Sequence, residues 1–133
     1  MNINVEQSFG EFISNKRQEK KIGLREMARL LKITPPYLSD IEKDRRNPPK
    51  IEKMDEIAAI LSLSTNERRY MYDLAGKKRN TVSPDLVDYI MENDYIRLAL
   101  RTSMNLDVGE DEWLKFINDL NNTKNNNENF LIS

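Results

Sequence analysis

The stretch LREMARLLKITPPYLSDIEKDRRNPP, residues 24–49, decides the fold. Leu24, Met27, Ala28 and Leu31 recur at spacings of three and four, which predicts a helix with one apolar face. Lys32, Ile33 and Thr34 leave only a very short connection. A second helix is then expected from about Pro36 to Lys43, with Leu38 and Ile41 inward. Proline in a first helical turn costs little, because the N–H groups there have no partner within the helix. Pro35, placed before another proline, is pushed towards extended backbone and is expected to cap this helix rather than join it. Asn47, Pro48 and Pro49 end it. Tyr37, Ser39, Asp40 and Lys43 lie opposite Leu38 and Ile41, so the second helix turns polar side chains outward.

The flanking segments have the same character. Ser8 and Glu11 form a capping-box pattern that opens a helix near 8–20, with Phe9, Phe12 and Ile13 as its apolar stripe. Ile51, Met54, Ile57, Ala58 and Leu61 mark a helix near 50–61. Another starts near Asn66, carries Tyr70 and Leu74, and is expected to stop at Gly76. Five short helices with brief links make a compact all-α bundle over residues 1–80. KKRNTVSP, residues 77–84, has no apolar periodicity and marks a boundary. Beyond it, residues 81–121 carry further helical stripes, with a break expected near Glu92, Asn93 and Asp94. The asparagine-rich segment from residue 122 to 133 is expected to be a disordered tail.

Composition narrows the chemistry. The 133 residues include no cysteine and no histidine. Disulfides and thiolate metal sites are therefore impossible, and the commonest general base and metal ligand is missing. There is no glycine-rich phosphate loop, so neither an enzyme nor a cofactor is expected. No apolar run approaches the roughly 20 residues of a membrane span. The N-terminus lacks the basic start and apolar core of a signal peptide, so the expected location is cytoplasmic. The net charge of −1 hides a division. Residues 1–80 hold 17 Lys and Arg against 12 Asp and Glu, whereas residues 81–133 hold 4 against 10. A basic first part suits a polyanion, and an acidic second part does not.

Two short helices joined by a tight turn describe a helix-turn-helix. The full string resembles the Cro and phage-repressor type of regulator, often called the xenobiotic-response-element family, over roughly residues 8–76. The resemblance implies a five-helix lambda-repressor-like DNA-binding bundle. It places Ala28 at the close contact of the two helices and Ile33 in the turn core. It implies that Arg17 reaches Glu42 and ties the motif to the bundle. It also implies base contacts from Pro36, Tyr37, Ser39, Asp40 and Lys43 in the major groove. Arg25, Thr34, Arg45, Arg46 and Lys50 are the expected contacts to the DNA backbone. The sequence departs from the family pattern twice. Asp44 stands where glycine is usual. Gly23 and Leu24 stand where a Ser/Thr-Gln pair usually binds phosphate, so that contact falls to Arg25.

One such module has limited affinity, and two are usually combined on half-sites about one helical turn apart. Tyr89, Ile90, Leu98, Trp113, Phe116 and Ile117 form stripes too apolar for a small appendage to bury alone. They are expected to pair two copies across a two-fold axis. The segment YIMENDYIRLALRT, followed by a tryptophan-bearing helix, resembles the C-terminal extension of regulators of phages and mobile elements. The function expected is a dimeric repressor that binds a palindromic operator in a phage, mobile-element or autoregulated promoter. The alternative is an antitoxin-like protein, whose C-terminal region binds a partner protein while the N-terminal domain autoregulates.

Overall fold

A computed structural model describes residues 6–132 of the chain, and the surroundings of its side chains through residue 125. Among the described residues there are eight helices and no strand. The first five are α1 (Phe9–Glu19), α2 (Leu24–Leu31), α3 (Pro35–Glu42), α4 (Ile51–Ile60) and α5 (Thr65–Arg79). They are followed by α6 (Val87–Met91), α7 (Asp94–Asn105) and α8 (Glu110–Ile132). The chain divides between Tyr89 and Ile90 into two compact bodies.

The first body is built on one apolar core. Phe9, Phe12 and Ile13 of α1 meet Met27, Ala28 and Leu31 of α2, Leu38 and Ile41 of α3, and Met54, Ile57 and Ala58 of α4. Met71, Leu74 and Ala75 of α5 close it. Each of these residues falls on the three-and-four spacing of its helix, which is why short helices of modest intrinsic stability form here. Helix ends are capped locally. Ser8 accepts from the Glu11 N–H at 3.1 Å, and Ser64 and Glu67 make a full reciprocal capping box. At the far end of α2, Lys53 donates to the Leu31 carbonyl at 2.7 Å. Among the described residues no buried side-chain polar atom lacks a partner. Lys16 of α1 reaches Glu67 of α5 at 2.6 Å, and this bond, with the Ser64 N–H, holds the Glu67 carboxyl down to about 2. That contribution to stability is present at and above the ordinary carboxylate range and is lost only as pH falls towards 2.

Two boundaries differ from the sequence expectation. Pro35 does not cap α3; it is the first helical residue, and Thr34 is the cap, accepting from the Tyr37 N–H at 3.2 Å. The steric cost of a following proline is tolerable at the first helical position, where Thr34 holds the turn. Nor does Gly76 stop α5, which runs on to Arg79 and ends on Asn80 in the left-handed region at φ 56°. Gly76 serves a different purpose. A Cβ there would lie 3.0 Å from both the Ser83 backbone nitrogen and the Thr81 carbonyl oxygen. The absent side chain lets residues 81–83 cross α5 at close range. Ser83 donates to Asp73, which fixes that crossing. This packing carries the first body through Tyr89, past the boundary that composition suggests at Asn80.

In the second body α7 and α8 are amphipathic, yet among its described residues none is buried. Arg97 closes the α6–α7 corner by donating to the Ile90 carbonyl at 2.9 Å and to Met91 and Asp94. Helix α8 continues to Ile132, through the segment where the sequence suggests a disordered tail. Once Glu110, Asp111 and Glu112 and the Trp113–Phe116 stripe have started the helix, each added asparagine costs only a fraction of a kcal/mol. Ser133 lies outside the described residues.

Of the glycines in the first body, Gly10 has the least room. A Cβ there would lie 2.5 Å from the Ile41 carbonyl oxygen and closer still to that of Glu42. Gly10→Ala must force α1 and α3 apart, and urea denaturation should show a loss of about 1–3 kcal/mol. Gly23→Ala, with nothing within 4 Å of its Cβ, meets no clash and should cost at most the N-cap preference of glycine over alanine, about 1 kcal/mol or less.

Candidate nucleic-acid interface

The interface is organised around α3. Leu38 and Ile41 are fully buried, which fixes the rotation of the helix. Pro36 and Lys43 are exposed, and Tyr37 and Asp40 are half-buried, all on the outward side. Positions 36, 37, 40 and 43 recur at helical spacing and make one outward stripe. Ser39 sits to one side, in a cleft that it lines with Pro35 and Pro36 of α3 and Leu24 and Arg25 of α2. The N-terminal turns of α2 and α3 thus open onto the same surface, with exposed Arg25 and Thr34 at its edge. Gly23 is the N-cap residue of α2 and supplies no side-chain cap.

Helix α1 holds the other end of α3 by two contacts. Arg17 places a fork on Glu42, Nε to Oε2 at 2.8 Å and Nη2 to Oε1 at 2.9 Å. Its remaining Nη1 donates to the Ile22 carbonyl at 3.0 Å, so one guanidinium links α1, the α1–α2 turn and α3. The hydrogen bond to Glu42 raises the Arg17 pKa further above its ordinary value. The second contact is Asp44, which has φ 58°. Its carboxylate accepts from the Gly10 N–H at 2.9 Å and from the Ser8 hydroxyl. Asp44 therefore ends the recognition helix and caps α1 with one side chain. The hydrogen bonds offset the left-handed backbone that makes glycine usual at this position. Nothing in the local sequence signals this contact, because its partners lie more than 30 residues away.

After Asp44 the chain turns back. The Asp44 N–H donates to the Ile41 carbonyl at 3.1 Å, and the Arg45 N–H to the Asp40 carbonyl at 2.9 Å. That reversal brings Arg45 and Arg46 over α3. Each places a guanidinium nitrogen 3.8 Å from the Asp40 carboxylate. The Arg46 guanidinium also lies 4.5 Å from the centre of the Tyr37 ring. The loop is braced from α5, where Lys78 donates to the Asp44 carbonyl at 3.2 Å and Arg79 to the Pro48 carbonyl. Lys50 follows as the exposed N-cap residue of α4. The structure thus places Pro36, Tyr37, Asp40 and Lys43 on one stripe, with Ser39 in the adjoining cleft beside Arg25 and with Arg45 and Arg46 beside Asp40. The Arg46–Tyr37–Asp40 cluster was not foreseen from sequence, where Arg46 reads only as a phosphate contact.

The C-terminal candidates divide between the two bodies. Tyr89 closes the first, while Ile90, Leu98, Trp113, Phe116 and Ile117 belong to the second. Leu98, Phe116 and Ile117 are each at least half exposed. Trp113 meets Phe116 edge to face, with ring centres 6.0 Å apart.

An exposed reading helix, buried on its inner side and anchored at both ends, is the DNA-binding element of a helix-turn-helix regulator. Comparison with known families agrees: residues 10–77, just over half of the chain, match a family described as a helix-turn-helix domain. The chain belongs to that family and is a DNA-binding transcription regulator. A solved chain of the SinR protein/SinI protein complex is similar at 22% identity and a TM-score of 0.43. That match covers 88% of this chain and 98% of the other; so loose a superposition carries no argument about function. No curated protein matches the chain. No helix among the described residues is long and apolar enough to cross a membrane.

Only 13% of the Arg17 side chain and 7% of the Glu42 side chain are exposed. Arg17→Met therefore leaves a carboxylate poorly solvated and unpaired, and should cost about 3 kcal/mol in urea denaturation. Adding Glu42→Met should recover most of that loss, so a double-mutant cycle separates the pair from the packing of its stems.

Proposed function

We propose that this chain is a homodimeric, sequence-specific repressor that excludes polymerase from a promoter of phage, mobile-element or autoregulated type. The observation that carries the reading is the outward stripe of α3, Pro36, Tyr37, Asp40 and Lys43, above the buried pair Leu38 and Ile41. In this reading α3 enters the major groove by its N-terminal half, and Ser39 contacts DNA from the α2–α3 cleft. Arg25, Arg45 and Lys50 hold phosphates, and Thr34 adds a neutral contact. The protein acts in the cytoplasm, without catalysis and without a cofactor.

Dimerisation is supported by the second body. Leu98, Leu106, Phe116 and Ile117 expose apolar surface that a monomer leaves in water. Covering it with a second copy would place two recognition helices on one palindromic operator. The net charge of residues 81–133, 4 basic against 10 acidic side chains, suits a region kept away from the phosphates.

Two measurements test this reading. Three basic contacts per copy give six per dimer, so the slope of log affinity against log salt should be about −5. A slope near zero removes the phosphate clamp. Phe116→Asp, at a site already half exposed, should leave the fold intact and convert the dimer to monomer in sedimentation. Operator affinity should fall by at least ~100-fold when the two half-sites are no longer read together. A protein that sediments as a monomer before the substitution would favour the antitoxin-like alternative, in which this face meets a different protein.

A further inference from the structure

The Arg46–Tyr37–Asp40 cluster has a consequence for which base is read. We propose that Arg46, braced on the Tyr37 ring, positions the Asp40 carboxylate as the acceptor that selects a cytosine amino group in the major groove. The proposal rests on the reading of α3 as the recognition helix.

A bare carboxylate pushed against DNA is repelled by the phosphates. Asp40 is not bare, since guanidinium nitrogens of Arg45 and Arg46 stand 3.8 Å away on the loop that folds back over α3. The two cations offset its charge while leaving it about one third exposed, so it can still accept a hydrogen bond. Arg46 alone has a second hold: its guanidinium carbon lies 4.5 Å from the Tyr37 ring centre. A flat guanidinium can stack on a ring and present an edge to a carboxylate at the same time. The ammonium of lysine is a point charge and cannot do both. Tyr37 in turn is fixed by its backbone bond to Thr34 and by partial packing against the core. The chain of support therefore runs from the start of α3, through Tyr37 and Arg46, to Asp40.

Chemistry then selects the base. An ionised carboxylate only accepts, so guanine N7 and O6 and thymine O4 are excluded as partners. The amino groups of cytosine and adenine remain. Adenine places the N7 acceptor beside its amino group, which repels the second carboxylate oxygen, whereas cytosine places a C–H there. Cytosine is the base that suits Asp40.

Selection from random duplex DNA with the full chain tests this. The wild-type protein should enrich sites with a fixed cytosine in each half-site. Asp40→Asn, which turns half of the acceptor into a donor, should lose that preference by on the order of 10-fold. Arg46→Lys keeps the charge but cannot stack and fork at once, so it should lose the same cytosine preference by a similar factor. Tyr37→Phe should preserve the preference and Tyr37→Ala should lose it, because the ring and not the hydroxyl supports Arg46. If Arg46→Lys weakens all sequences equally and leaves the enriched site unchanged, Arg46 is a phosphate contact and the proposal falls while the DNA-binding reading stands. If the wild-type protein enriches no sequence, the reading of α3 falls and the proposal with it.

Discussion

The grip of α1 on the far end of the recognition helix is the constraint from which the rest of the first body follows. Residue 10 must be glycine because the backbone carbonyls at the end of α3 press against it. Glu42 must be matched because it is almost fully covered, and the Arg17 fork matches it. Asp44, at φ 58°, accepts from the N-terminus of α1, which helps a non-glycine residue hold that backbone. These contacts lie on one seam. A recognition helix of eight residues, starting with two prolines, would not hold its geometry alone. Its core side chains set its rotation, and the seam sets its tilt.

The same seam governs the loop that follows. Because Asp44 is pinned, the backbone reverses at a fixed point and delivers Arg45 and Arg46 over α3. Lys78 and Arg79 hold that loop from behind. Lys78 and Arg79, at the exposed basic end of α5, thus donate to loop carbonyls of the same chain. A basic run such as KKR is easily taken for a DNA contact. Here two of its three members serve the loop, and Lys77 pairs with Glu6 at 2.7 Å.

Most of the first body was legible because its signals are local. Apolar spacing located the five helices, Ser8 marked the first start, and the resemblance paired Arg17 with Glu42. What was not legible depends on contacts distant in sequence. Gly76 looks like a stop signal, and only the crossing of residues 81–83 explains it as a clearance inside a continuing helix. Asp44 looks like a poor substitute for glycine until Ser8 and Gly10 are seen beside it. Pro35 reads as a cap by the rule for residues before proline, but the Thr34 side chain holds the first turn and lets Pro35 join the helix. Of the interface, the outward stripe of α3 could be read from helical spacing. The stacking of Arg46 on Tyr37 could not, since it depends on how the loop reverses.

The single tryptophan of the chain lies at position 113, in the second body, beside Phe116 and partly exposed. Intrinsic fluorescence excited at the indole band therefore comes from the C-terminal helices alone, and the DNA-reading body, with only tyrosine and phenylalanine, is dark in that channel. The molecule carries its own optical label on one of its two halves. Covering of the α8 face can therefore be followed through Trp113 without attaching a dye, and the first body adds no tryptophan signal to confuse it.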